Sequence, residues 1–362
     1  MLKALDWAIE NECSDIHITE NKVCKVRFKG TMTNLDEIGI VTSEEMLAFN
    51  EEYMPQKIEQ YRELMKPSGN VSIDSSFSYK GRRFRSHAYK GASGISFALR
   101  LLKDEIPSLS GLCLPDCVDK LTHMTNGLIL VVGTTGSGKS TTIASILNKI
   151  NLNDAVNIIT VEDPIEYIYK EEKARIEQRE VGTHVPSFSD AVRDAMRQDP
   201  DIVLVGEMRD LDTIQNAISM AETGHLAFGT LHAKSVTDTV DRIVDVFPHQ
   251  QHDQIRVQLA SVLRCVIYQK LVKSSYGRIV PMVEILMVDD VISNMLKKST
   301  NPNTIKDTMR SKRELGCVHI ADNVAWHVLN KRLSINDVKN YLSDDDFGIA
   351  KSIISKALTS KR

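Results

Sequence analysis

The apolar positions of residues 1–104 recur with two different periods. Leu2, Leu5, Ala8 and Ile9 share one helical face, so a helix is expected over Leu2–Glu12. Ile16–Thr19 and Val23–Phe28 alternate apolar and polar side chains, as half-buried strands do. The charged stretch Glu44–Met65 returns to helical spacing. Val71–Tyr79 and Gly81–Tyr89 then predict a hairpin turning at Lys80-Gly81, followed by a strand over Ile95–Leu102. These elements make a small α/β domain over 1–104. Asp104–Pro115 holds Pro107, Gly111 and Pro115 with little periodicity, and a linker is expected over 105–121.

From Thr122 the rhythm changes to short, wholly apolar strands that alternate with helices. That pattern belongs to a mostly parallel sheet covered on both faces. The expected strands are Gly127–Val132, Val156–Val161, Ile202–Val205 and Leu226–Thr230. The expected helices are Ser140–Ile150, Ser189–Gln198, Leu211–Glu222 and Val236–Val246. Ser187-Phe188-Ser189-Asp190 suits a capping box before the second helix. This core is placed at 122–290. The remainder, 291–362, is polar and helical in pattern, with a break at Asn301-Pro302-Asn303.

Composition adds exclusions. The chain has 362 residues, 42% apolar and 26% charged, the balance of an ordinary globular protein with room for more than one domain. Lys plus Arg (45) nearly balances Asp plus Glu (48), so no global basic field recruits nucleic acid. Nor is there a basic, aromatic-interleaved strand of the kind that tracks single strands, which argues against a ring helicase. Met1–Asp15 is interrupted by Asp6, Glu10 and Glu12, unlike a signal peptide, and the longest apolar runs are too short for a bilayer. Any membrane contact would go through a partner. Six scattered cysteines (Cys13, Cys24, Cys113, Cys117, Cys265, Cys317) form no zinc pattern and read as reduced thiols.

The chemistry concentrates at Gly133-Thr134-Thr135-Gly136-Ser137-Gly138-Lys139-Ser140, which fits G-x-x-x-x-G-K-[ST]. An apolar strand leads in, and a helix opening with Thr141 and Thr142 leads out. The glycines allow backbone N–H groups to turn inward around phosphate oxygens, and the helix N-terminus adds positive potential. Lys139 has the reach for the β- and γ-phosphates of ATP, and the Ser140 hydroxyl suits Mg²⁺.

Two acidic strand ends follow. Ile202–Val205 runs into Gly206-Glu207, where a carboxylate beside the phosphates would hold magnesium, often through water. Val156–Val161 runs into Glu162-Asp163-Pro164-Ile165-Glu166, and any of these three acids could take a proton from an attacking water. Pro164 stiffens that turn. His225 and His232 flank Leu226–Thr230; His232 lies past the carboxyl end, where nucleotides bind in such sheets.

These residues resemble one family. Glu162–Tyr167, Asp199–Asp210 and Ala221–His232 look like the Asp box, Walker B and His box of the type II/type IV secretion ATPase superfamily. The likeness is strongest to its pilus retraction ATPases. Gln178-Arg179-Glu180-Val181-Gly182, Asp241–Pro248 and Ser14-Asp15-Ile16-His17-Ile18 also match, and the likeness is dense over 123–285. The resemblance implies a RecA-like P-loop ATPase core, a smaller PAS-like α/β N-terminal domain and a helical C-terminal region. It implies Glu166 as general base, Glu207 as the magnesium residue, and His225 and His232 as the His box. Arg85 and Arg100 match arginines that approach nucleotide from the N-terminal domain. A homohexamer is implied, cytoplasmic and peripheral at the inner membrane, docked on a platform protein.

The branch is read from what is absent. Assembly and type II secretion motors resemble this core but carry an extra N-terminal region and a four-cysteine zinc insertion. Neither is in this sequence, which favours retraction. Two features depart from the retraction pattern: Val23–Thr33 lacks a proline-containing segment, and the Ala-Ile-Arg-Asn-Leu motif stands here as Val291-Ile292-Ser293-Asn294-Met295-Leu296. Serine cannot make the ion pairs of the missing arginine. Pilus assembly, protein or DNA secretion, and a slow nucleotide switch or scaffold are the competing readings; the intact Glu166 argues against the last.

Overall fold

The computed structural model describes residues 1–102 and 105–359. Lys103 and Asp104, where the expected linker begins, and the last three residues of the expected C-terminal region lie outside the described residues. The chain divides into two compact units. The first comprises Met1–Glu105 with two later segments, Asp163–Ile168 and Arg179–Pro186; the second comprises the rest of the described chain.

The first unit is built on an antiparallel sheet. After helix α1 (Leu2–Glu10) come strands β1 (Asp15–Thr19), β2 (Lys25–Phe28) and β3 (Thr31–Asn34). Helices α2 (Ser43–Tyr53) and α3 (Ile58–Met65) precede β4 (Ile73–Tyr79), β5 (Arg82–Gly91) and β6 (Gly94–Leu101). The single helix expected over Glu44–Met65 is broken because Pro55 has no N–H to continue it and starts a 3₁₀ turn instead. Thr42 and Glu45 close a reciprocal capping box at its start. Strand β3 escaped the sequence reading because all four of its side chains are exposed and show no alternation. Spatial order is β3-β2-β1-β6-β5-β4, with Phe77, Phe84 and Phe97 among the core residues.

The second unit contains β7 (Gly127–Val132), α4 (Lys139–Asn153), β8 (Asn157–Glu162), all but the last two residues of β9 (Arg175–Glu180), α5 (Phe188–Ala195) and β10 (Ile202–Val205). These are followed by α6 (Leu211–Glu222), β11 (Leu226–Leu231), α7 (Val236–Val244), α8 (His252–Val262), β12 (Leu263–Lys273) and β13 (Ile279–Met287). Helices α9 (Asp290–Lys297), α10 (Pro302–Ser311), α11 (Ile320–Leu329) and α12 (Asp344–Thr359) complete it. The sheet order is β13-β12-β7-β11-β10-β8-β9. Strands β8, β10, β11, β7 and β12 pair in parallel, and β13 returns antiparallel to β12. Strands β7, β10 and β11 are buried at every position, as strands covered on both faces must be.

This is the expected α/β class: a RecA-like core, a smaller PAS-like α/β unit and a helical C-terminal region. One correction is local. Ser187 accepts from the Asp190 N–H, but the reciprocal half of the expected capping box is missing. The stretch expected as linker carries 3₁₀ turns at Leu109–Leu112 and Asp116–His123, which pack on α4 through Lys149–Asp119 and Ser145 Oγ to Pro107 O at 2.7 Å. All six cysteines are free thiols. Among the described residues no helix is long and apolar enough to cross a membrane.

Candidate active site

The loop 133–138 joins the carboxyl end of the inner strand β7 to the amino end of α4. Three of its glycines have positive φ: Gly133 (150°), Gly136 (74°) and Gly138 (86°). Two are also fixed by crowding. A Cβ on Gly133 would lie 2.3 Å from the Gln269 carbonyl oxygen, and one on Gly138 would lie 2.8 Å from Gln269 Nε2. Lys139 Nζ donates to the carbonyls of Gly133 at 3.1 Å and Thr134 at 3.2 Å, so the ammonium crosses the mouth of its own loop. Ser137 Oγ is buried with no hydrogen-bond partner. Thr134, Thr135 and Gly136 face solvent, while Ser140 and Thr141 are half-buried on the first turn of α4.

Gln269 is the residue that sequence reasoning missed. Its amide donates from Nε2 to Ser137 O at 2.8 Å and accepts at Oε1 from Thr142 Oγ1 at 2.8 Å. The side chain is 2% exposed, so both halves of the amide are satisfied by the loop and its helix alone. The available signal was one glutamine inside the apolar run Cys265–Val272. Strand β12 itself had gone unrecognised.

Glu207 follows β10 at the same sheet edge, because β10 and β11 run parallel with β7. The chain there is held by Gly206 N donating to Val161 O at 2.7 Å and Met208 N donating to Thr230 O at 2.8 Å. Glu207 Oε1 is buried, with Arg209 Nε at 2.6 Å and His232 Nε2 at 3.3 Å. The structure therefore brings His232 to Glu207, along a cavity of about 430 Å³ that Arg242 also lines. Arg209 also donates from Nη2 to Glu207 Oε2 at 2.6 Å, and its side chain is 72% exposed, so water screens the pair.

His225 lies at the opposite end of its strand. It precedes β11 at the amino end, where its carbonyl accepts from Gly127 N at 3.0 Å and its Nδ1 sits 3.2 Å from Met220 O. Six strand residues at roughly 3.3 Å each separate it from the loop edge, about 20 Å. The unit does not bring His225 to the phosphate loop.

The acidic turn is divided. Glu162 stays with the second unit, where it accepts from Thr160 Oγ1 at 2.7 Å and Gln178 Nε2 at 3.3 Å. Asp163 and Glu166 belong to the first unit. The Asp163-Pro164 bond is cis, Pro164 and Ile165 are buried and Glu166 is half-buried. Also in the first unit, Arg85 and Arg100 stand directly opposite one another on β5 and β6, both exposed. Arg100 Nε donates to Asp15 Oδ1 at 2.9 Å.

A mostly parallel sheet in this order, with a glycine-bent phosphate loop on an inner strand, defines a P-loop ATPase with a RecA-like core. The profile of the type II/IV secretion system protein family matches residues 1–353, and the chain belongs to that family. It is 34% identical over 327 residues to the uncharacterized protein YggR of Escherichia coli, covering 90% of this chain and 97% of that one. It is 41% identical over 229 residues to the type IV pilus retractation ATPase PilT of Pseudomonas aeruginosa, covering 63% of this chain and 67% of that one. Among solved structures it resembles the pilus retraction motor PilT with bound ADP, with TM-score 0.81 and 38% identity over 95% of this chain and 97% of that one.

Proposed function

We propose that this chain is the ATPase motor that retracts a type IV pilus, disassembling pilin subunits as ATP is hydrolysed. The carrying observation is the shared sheet edge of the Gln269-braced phosphate loop and the Glu207–His232 pair, in a chain whose likeness to the PilT retraction motor runs nearly end to end. In this reading the motor is a cytoplasmic homohexamer, peripheral at the inner membrane on a platform protein. Its domains are a PAS-like domain over 1–104, a linker over 105–121, an ATPase core over 122–290 and helices over 291–362.

The loop geometry fits nucleotide phosphate. The amino end of the 15-residue helix α4 favours an anion, and Lys139 would exchange its two loop carbonyls for β- and γ-oxygens. Magnesium would be held by the Ser140 hydroxyl and Glu207, with phosphate oxygens and water completing its shell. When bound it neutralises developing phosphate charge.

The residues then divide the work. Glu166 accepts the proton of the attacking water. His232, beside Glu207, reads whether the γ-phosphate is present. Arg85 and Arg100, adjacent on one exposed sheet face, serve as the arginines presented to a neighbouring subunit's nucleotide. Deleting the gene tests the direction of work: retraction predicts cells that accumulate surface pili, and loss of pili would sink it. One observation keeps a secretion motor as second reading, since Ser293 stands where the retraction motif has arginine, and its hydroxyl is spent on Ala260 O at 2.6 Å.

A further inference from the structure

Arg83 lies on β5, yet its side chain is only 17% exposed and it pairs with Glu180, 3% exposed. Both belong to the first unit, as do Asp163–Ile168 and β4. The Glu180 carboxylate gathers donors from four residues. Arg83 Nη2 is one; Ser76 Oγ lies 2.6 Å from both oxygens; Thr183 Oγ1 donates at 3.1 Å; and the Ile165 N–H donates at 3.1 Å. Arg83 in turn donates from Nε to the Ile165 carbonyl at 3.2 Å and from Nη2 to Ser76 Oγ at 2.5 Å. Both polar groups of Ile165 are thus gripped, the N–H by Glu180 and the C=O by Arg83. Pro164 precedes it and the Ile165 side chain is itself 3% exposed.

We infer that the Arg83–Glu180 pair is a positioning clamp that sets the direction of Glu166. The residue after a peptide held at both ends has little freedom except its own side-chain torsions. The guanidinium suits this because its planar fork addresses a carboxylate and a carbonyl at once, which a lysine does not. A buried charge pair is expensive to assemble, so retaining one here has to be explained by what it fixes. Neither residue is asked to touch nucleotide. The inference rests on Glu166 being the base.

The experiment uses the purified full chain and measures ATPase kcat and KM for Glu166→Gln, Arg83→Gln, Glu180→Gln and the Arg83→Gln/Glu180→Gln double variant. Misplacing a reacting group by about an ångström can cost on the order of 100-fold. The clamp therefore predicts kcat lowered about 10- to 100-fold in both singles with KM within about twofold, and a double variant no worse than either single. Turnover that survives Glu180→Gln while Glu166→Gln abolishes it overturns the clamp and leaves the base assignment standing. An Arg83→Gln loss that Glu180→Gln does not reproduce overturns it in favour of a direct nucleotide contact by Arg83. Turnover that survives Glu166→Gln removes the base assignment and the clamp with it. Should the singles unfold with a lone buried charge, Ser76→Ala and Thr183→Val each remove one donor and must lower kcat in smaller steps at unchanged KM; unchanged kcat in both overturns the proposal.

Discussion

The side-chain amide of Gln269 donates to the backbone carbonyl of Ser137 at 2.8 Å, tying the fifth parallel strand to the phosphate loop that follows the first. The other half of that amide accepts from Thr142. An apolar replacement leaves two buried groups unpaired, each at about 1–3 kcal/mol. Gln269→Leu should therefore fold but bind nucleotide roughly tenfold more weakly, because the loop loses its preferred shape. Titration with a fluorescent ADP analogue reads this directly, and unchanged affinity would mean that the loop holds itself.

Lys139→Ala and Glu207→Ala should both abolish ATP turnover, for different reasons. Lys139 is on the loop and its loss removes phosphate charge compensation, so nucleotide binding should fall as well. Glu207 sits at the neighbouring strand end, paired with Arg209 and near His232. Its loss should spare binding of ADP without magnesium and remove the magnesium dependence of ATP binding. Binding isotherms with and without Mg²⁺ separate the two, and identical behaviour of both variants would contradict the division of roles.

Much of this was legible in the sequence because two signals are local. The strand–loop–helix context of Gly133–Ser140 is contained in about 25 residues, and the buried parallel strands announce themselves as unbroken apolar runs. What was illegible depends on distant partners. Gln269 meets Ser137 across 132 positions, and Glu180 meets Ser76 across 104, so no spacing rule reveals either. His225 and His232, which flank one strand, were already separable from the sequence. Strand polarity alone separates them, because only the carboxyl end carries the phosphate loop.

Glu284 gives one pH prediction. It lies on β13, 2% exposed, with Oε1 lacking a partner and Oε2 accepting from Val236 N at 3.3 Å at the start of α7. Burial is the main cause that raises its pKa above the ordinary carboxylate value, against smaller opposing effects from Lys306 and the Val236 N–H. A raised carboxyl contributes stability that is complete below its unfolded pKa and is lost as pH rises through its folded pKa. Glu284→Gln should flatten that loss and raise the thermal midpoint at neutral pH relative to the native chain. Midpoints from calorimetry between pH 5 and 8 check it; an unchanged pH slope would refute it.

His327 tilts the balance the other way. It is fully buried on α11 against Trp326, with ring centroids 4.7 Å apart, and burial, reinforced by the Arg332 charge, pushes its pKa down to about 4. The unfolded chain binds a proton near pH 6.5 that the folded chain refuses, so stability is complete above that value and is lost as pH falls. Between pH 7.5 and 5 the loss amounts to about 2 kcal/mol. His327→Leu has a similar volume, lacks the titrating ring and leaves the apolar contacts of α11 in place. Its thermal midpoint should fall less than that of the native chain over the same interval. Equal falls in the two proteins would show that the imidazole takes up its proton without opening the helical layer.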